Sequence, residues 1–140
     1  MFLILREFTE RKLQNMAKKQ ESPSKILSDA IVKALKEKKG IEITRLDLRS
    51  LNGAVTDYYV IATGSSDRHV QALSEYVIEA MEEFPGEKPH SKEGIRAGEW
   101  ALLDYVSVVV HIFQEEKRFF YSIEELWGDA KREDFDKKKK

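Results

Sequence analysis

The chain has 140 residues, 41% of them hydrophobic and 35% charged, with a formal net charge of -1 and no cysteine. This length suits one compact domain rather than two, and the near-neutral charge argues against general binding to a nucleic-acid backbone, which needs a surplus of Lys and Arg on one face. Lack of cysteine excludes a disulfide framework and Cys-ligated zinc and fits a reducing cytoplasm, while no apolar run approaches the roughly 18–20 residues that span a bilayer.

In chain order, residues 1–23 read as a charged, weakly helical extension. Phe2 to Leu5 is too short for a secretory signal, and Arg6, Glu7 and Glu10 follow at once. Ser24, after Pro23, is the N-cap candidate for a first helix, in which Ile26, Leu27, Ala30, Ile31, Ala34 and Leu35 recur at helical spacing. Lys36 to Lys39 put positive charge at its C-terminus, and Gly40 closes it. Ile41 to Leu48 alternates with a change of phase near Arg45, and Tyr58 to Thr63 is β-branched and aromatic, so both read as strands. A second helix carries Val70, Leu73, Val77, Ala80, Met81 and Phe84, and ends at Pro85. Trp100 to Asp104 and Val106 to Phe113 are apolar strands close enough to form a hairpin through Tyr105, the second of them central in the sheet. Phe119, Phe120, Ile123, Leu126 and Trp127 mark a last helix that stops at Gly128. The chain closes in a lysine-rich segment, 131–140, which reads as a solvated tail.

The domain proper is thus 24–130. Its element order predicts a mixed β-sheet flanked by helices, α/β in the broad sense or α+β. The segment from Thr63 to Trp100 is the one expected crossover between non-adjacent strands, right-handed if those strands are parallel.

One turn invites a chemical reading. Gly64-Ser65-Ser66 leaves a strand and enters a helix, as phosphate-binding turns do. A nucleotidyltransferase would add two or three carboxylates converging on Mg²⁺, yet the next strand offers only Asp104 and the one after it none. Nor does a second glycine or Lys-Ser/Thr follow at P-loop spacing. The plainer reading makes Ser66 or Asp67 the helix cap and Gly64 the residue that permits the turn. His69, His90 and His111 include no i, i+4 metal pair, and His111 sits in an apolar strand as a partly buried residue. No catalytic residue, cofactor or metal site is therefore expected.

Leu46 to Leu48, Asp57 to Ala62, Gly64 to Ala72, Glu93-Gly94, Gly98 to Trp100, Leu102 to Tyr105, Val108 to Phe113 and Leu126 to Ala130 together carry a resemblance. The chain resembles the ribosomal silencing factor family, also called Iojap-like. The most specific part is Glu99-Trp100-x-Leu102-Leu103-Asp104-Tyr105, then Val108 to Phe113, then Leu126 to Ala130.

The resemblance implies a nucleotidyltransferase-like fold lacking the catalytic carboxylates, and no enzyme. It implies a homodimer that binds the large ribosomal subunit through ribosomal protein L fourteen and keeps the small subunit from docking, with organellar relatives acting in large-subunit assembly. The expected partner site is Trp100, Leu102, Asp104 and Tyr105, with Glu93, Arg96 and Glu99 around it. Aromatic residues dominate interface hot spots, and strand alternation puts Trp100, Leu102 and Asp104 on one face. The competing reading of Trp100 is a core residue packed under a helix; Tyr58, Tyr59 and Trp127 read chiefly as packing. The alternative function is nucleotide binding at Gly64-Ser65.

Overall fold

A computed structural model describes residues 22–135. The expected helicity of the N-terminal extension and residues 136–140 of the lysine-rich tail lie outside the described residues. Helix α1 (Pro23–Glu37) is capped by Ser22, whose hydroxyl accepts the Lys25 N–H at 3.2 Å, with Pro23 in the first turn. The expected cap, Ser24, is instead buried in that turn. Proline already has the φ a helix needs and no N–H to leave unsatisfied, which moves the start two residues earlier than a cap at Ser24 would give.

Strands β1 (Ile41–Asp47) and β2 (Tyr58–Gly64) follow, then α2 (Asp67–Glu83), a short β3 (Ser91–Glu93), β4 (Trp100–Asp104) and β5 (Val108–Gln114). The expected last helix is two short ones, α3 (Glu115–Tyr121) and α4 (Ile123–Leu126), because Ser122 between them is left-handed at φ 47°, ψ 48°. β6 (Lys131–Asp134) then pairs antiparallel with β1. The first residues of the expected solvated tail are therefore a strand of the sheet.

The sheet order is β3-β4-β5-β2-β1-β6, and β2–β5 is its parallel pairing among antiparallel neighbours. β5 is central, as its apolar run predicts, and forms the expected hairpin with β4. β2 and β4 lie antiparallel to one another across β5, so the handedness rule for parallel strands does not govern that crossover. The phase change in β1 falls earlier than Arg45, at an irregularity between Ile41 and Thr44 where Glu42 has φ 50°.

Leu27, Ile31 and Leu35 of α1 and Val70, Leu73, Val77 and Met81 of α2 close one face of the sheet over Val60, Ala62, Ala101, Leu103, Val110 and Ile112. Each of the Val, Leu, Ile and Met side chains among them contributes about 1.5–3 kcal/mol when taken out of water. The opposite face has a smaller core of Leu46, Leu48, Ile61 and Phe113, with half-buried Tyr59, Trp100, Ile123 and Trp127 against it.

Two buried arginines hold the margins. Arg45, 3% exposed, bonds Ser28 and Asp29 of α1 and Glu133 of β6, joining helix and edge strand. Arg118 of α3 donates to the Glu42 carbonyl at 2.6 Å, to Thr63 and Thr44 hydroxyls and to Glu124, fixing the two short helices against β1 and β2. A buried guanidinium has several donors to satisfy, and these partners supply the acceptors.

Candidate functional site

On the face away from α1 and α2, alternation along β4 places Trp100, Leu102 and Asp104 side by side. Across the ladder they lie opposite Phe113, His111 and Val109, and β2 adds Ile61 beside His111 and Tyr59 beside Val109. At the outer edge, Glu93 and Ser91 of β3 lie opposite Leu102 and Asp104. Among the described residues, α3 and α4 cover only part of this surface. Leu102, Asp104, Val109, Tyr59 and Trp100 all keep some exposure.

The loop before β4 aims the strand. Gly94 and Gly98 both have positive φ; a Cβ at Gly94 would lie 2.1 Å from the Trp100 carbonyl oxygen, and one at Gly98 would lie 2.7 Å from Asp67. Only glycine lets the backbone approach so closely in that conformation.

Trp100 is held on three sides. Its ring stacks on Phe113 at 4.9 Å, meets Tyr121 of α3 at 4.5 Å, and its indole N–H donates to His111 Nδ1 at 3.1 Å. Tyr59 packs edge-on against His111 at 4.7 Å and against Trp127 at 6.0 Å. Phe120, 76% exposed, meets Tyr121 edge-on at 5.1 Å and extends the aromatic surface beyond the sheet. Asp104 Oδ1 accepts the Val106 N–H at 2.8 Å, which fixes the carboxylate at the hairpin turn.

Burial sets the electrostatics. It pushes His111 down to about 4, so the ring is neutral at physiological pH. Burial also raises the Tyr59 hydroxyl, opposed by a bond with Trp127 and reinforced by the Asp104 charge. The result is a platform of rings with the Asp104 carboxylate at the hairpin end and Glu93 along the outer edge. Such a surface suits a partner offering apolar groups beside a cation.

Not every expected site residue belongs to it. Trp100, Leu102 and Asp104 come together. Glu99 is exposed at the α3 end, 3.8 Å from Lys117. Arg96 lies on the α2 side instead, where its carbonyl accepts from Gln71 Nε2 at 2.7 Å and it borders a hollow with Glu75 and Lys92. Tyr105 is 4% exposed and belongs to the core under the helices, because strand alternation continues through it; burial raises its hydroxyl further. Arg96 and Tyr105 therefore stand apart from the surface that Trp100 anchors. Phe120 and Tyr121 were not among the expected site residues. The signal was present in Phe119-Phe120-Tyr121, because three successive aromatics at about 100° per residue cannot share one buried helical stripe.

The Gly64 turn is occupied by its own helix. Ser65 N–H donates to His69 Nδ1 at 2.9 Å, and Ser66 Oγ accepts the His69 N–H at 3.1 Å. Ser66 is thus the expected cap. A Cβ at Gly64 would come within 2.8 Å of Val70, so glycine here serves close strand–helix packing. Glu42, Glu115 and Glu116 line the hollow beside the turn and set negative charge where a phosphate would lie. Among the described residues no group of His, Asp and Glu is arranged to hold a metal ion.

The fold is that of a mixed α+β domain with one face covered by long helices and one that keeps aromatic side chains partly exposed. The chain belongs to the ribosomal silencing factor family: the family model described as "Ribosomal silencing factor during starvation" matches residues 19–140. That match takes in β6 as well as the expected domain. Ribosomal silencing factor RsfS of Bacillus subtilis is 36% identical over 103 residues, 74% of this chain and 86% of the relative. The chloroplastic protein Iojap of Zea mays is 35% identical over 72% of this chain and 43% of its own length. A crystal structure of a Chromobacterium violaceum protein superposes with a TM-score of 0.72 at 36% identity, covering 76% of this chain and 88% of that one. The motif resemblance and the fold class hold.

Proposed function

We propose that this chain binds the large ribosomal subunit through ribosomal protein L fourteen and blocks association with the small subunit, so lowering translation. The observation that carries this reading is the open sheet face, where Trp100, Leu102 and Asp104 stand in one row beside exposed Phe120. Family membership supports the ribosomal setting. The mechanism needs no catalysis. A domain that occupies a surface the two subunits must share excludes one of them sterically, and mass action sets how far. Trp100 is the anchor, Leu102 fills apolar contact beside it, and Asp104 pairs with an Arg or Lys of the partner. Glu93 and Glu99 ring the contact. A homodimer in the cytoplasm is part of the same reading. A mouse relative named for mitochondrial assembly of the ribosomal large subunit supports a further role in large-subunit biogenesis.

Co-sedimentation of the full chain with isolated large subunits, followed by addition of small subunits, tests the reading. Wild-type protein is expected to travel with the large subunit and reduce joining. Trp100→Ala and Asp104→Arg are expected to lose both effects while keeping the fold by circular dichroism. Undiminished binding by both variants would remove the proposed site.

A further inference from the structure

The surface just described rests on a residue that hardly reaches it. His111 is 4% exposed, in the middle of β5, with apolar residues on either side along the strand. Its Nδ1 accepts the Trp100 indole N–H at 3.1 Å, which in a neutral ring places the proton on Nε2. That Nε2 is buried and has no hydrogen-bond partner among the described residues. An unsatisfied polar atom destabilises a fold, and a Phe at this position would remove the defect while keeping ring contacts with Tyr59 and Phe113. What a Phe cannot supply is an acceptor for Trp100.

The acceptor matters because the indole is otherwise positioned by ring contacts alone. Phe113 below it and Tyr121 beside it define a slot, but stacking tolerates rotation of an indole in its own plane. One hydrogen bond from Nε1 removes that freedom and fixes which edge of the ring faces outward. Resting on the docking role proposed above, we infer that His111 is the positioning residue of the partner site: its Nδ1 locks Trp100 in the orientation that the partner meets. Preorganising a large anchor in this way lowers the entropic cost of association without His111 touching the partner.

Two substitutions separate positioning from packing. His111→Phe keeps the ring volume and removes the acceptor; His111→Asn sets a carbonyl oxygen near the place of Nδ1. In the full-length protein, the Trp100 indole N–H resonance, assigned by its loss in Trp100→Phe, is expected to be shifted and protected from exchange in wild type. It should become exposed to exchange in His111→Phe and recover in His111→Asn. Affinity for isolated large subunits should fall at least tenfold in His111→Phe, with a melting temperature equal to or above wild type, and recover in His111→Asn. Wild-type affinity in His111→Phe, or an indole resonance unmoved by it, overturns the inference. So does a loss of binding in both variants that tracks a loss of melting temperature. If wild-type protein fails to sediment with large subunits, the silencing reading falls and positioning of Trp100 is decided by the resonance.

Discussion

The two faces of the sheet are made from the same strands and do different work. One lies beneath two long, capped helices, where Val60 and Val110 pack under Leu73 and Val77 of α2, all inaccessible to solvent. The other is crossed by two helices of seven and four residues, broken at Ser122, and leaves aromatic rings and a carboxylate partly open. Adjacent residues of β4 alternate between these settings, so Leu103 is buried in the larger core while Leu102 keeps part of its side chain in water. The difference teaches that burial alone does not rank importance here: the less complete core is the one with a surface to offer.

The largest test of that division is a matched pair of truncations. Leu73→Ala is expected to cost about 2–5 kcal/mol, since it leaves a cavity beneath α2. Leu102→Ala should cost less than about 1 kcal/mol, because its side chain is already partly in water. Guanidinium denaturation of both variants compares them directly, and equal losses would erase the distinction between the faces.

Acid probes the open face from within. His111 is held neutral down to about pH 4 by burial, whereas in the unfolded chain it takes up a proton near 6.5. The unfolded state therefore binds more protons between those values, and stability falls as pH drops through that window. Above about pH 6.5 this group contributes no slope. The full loss amounts to about 3 kcal/mol, and His111→Phe should flatten the corresponding part of a pH–stability curve.

The smallest expected effect is at the hairpin turn joining β4 and β5. Val106 is exposed and has φ 73°, a conformation that a β-branched residue adopts only under strain. Val106→Gly should raise stability by about 1 kcal/mol, measured by thermal unfolding, without altering ribosome binding. A loss of stability would show that the turn is not strained.

Much of this arrangement was legible in the sequence. Helical spacing located α1 and α2, β-branched runs located β2 and β5, and period-two alternation assigned Trp100, Leu102 and Asp104 to one face. The same alternation puts Tyr105 on the other face, which its place in the expected site did not take into account. The edge strands were illegible for a physical reason: Ser91–Glu93 and Lys131–Asp134 bury nothing, so no apolar pattern marks them. β6 is a strand because distant groups hold it, through Arg45 to Glu133 and Thr44 to Asp134 at 2.7 Å. Arg118 likewise reads as a surface charge until Thr63, Thr44 and Glu124 are brought around it.

Those charged edge strands also decide how the molecule can grow. An uncovered edge is a template for a further strand, whether from another copy or from an unfolded chain. Here one margin presents Lys131, Arg132, Glu133 and Asp134 in succession and the other Ser91, Lys92 and Glu93, all exposed. An incoming strand would have to bring its own charges into register with these, so the sheet resists polymerising sideways. The broad side of the sheet, by contrast, offers a second body a surface that can be gripped and released without joining the hydrogen-bond ladder.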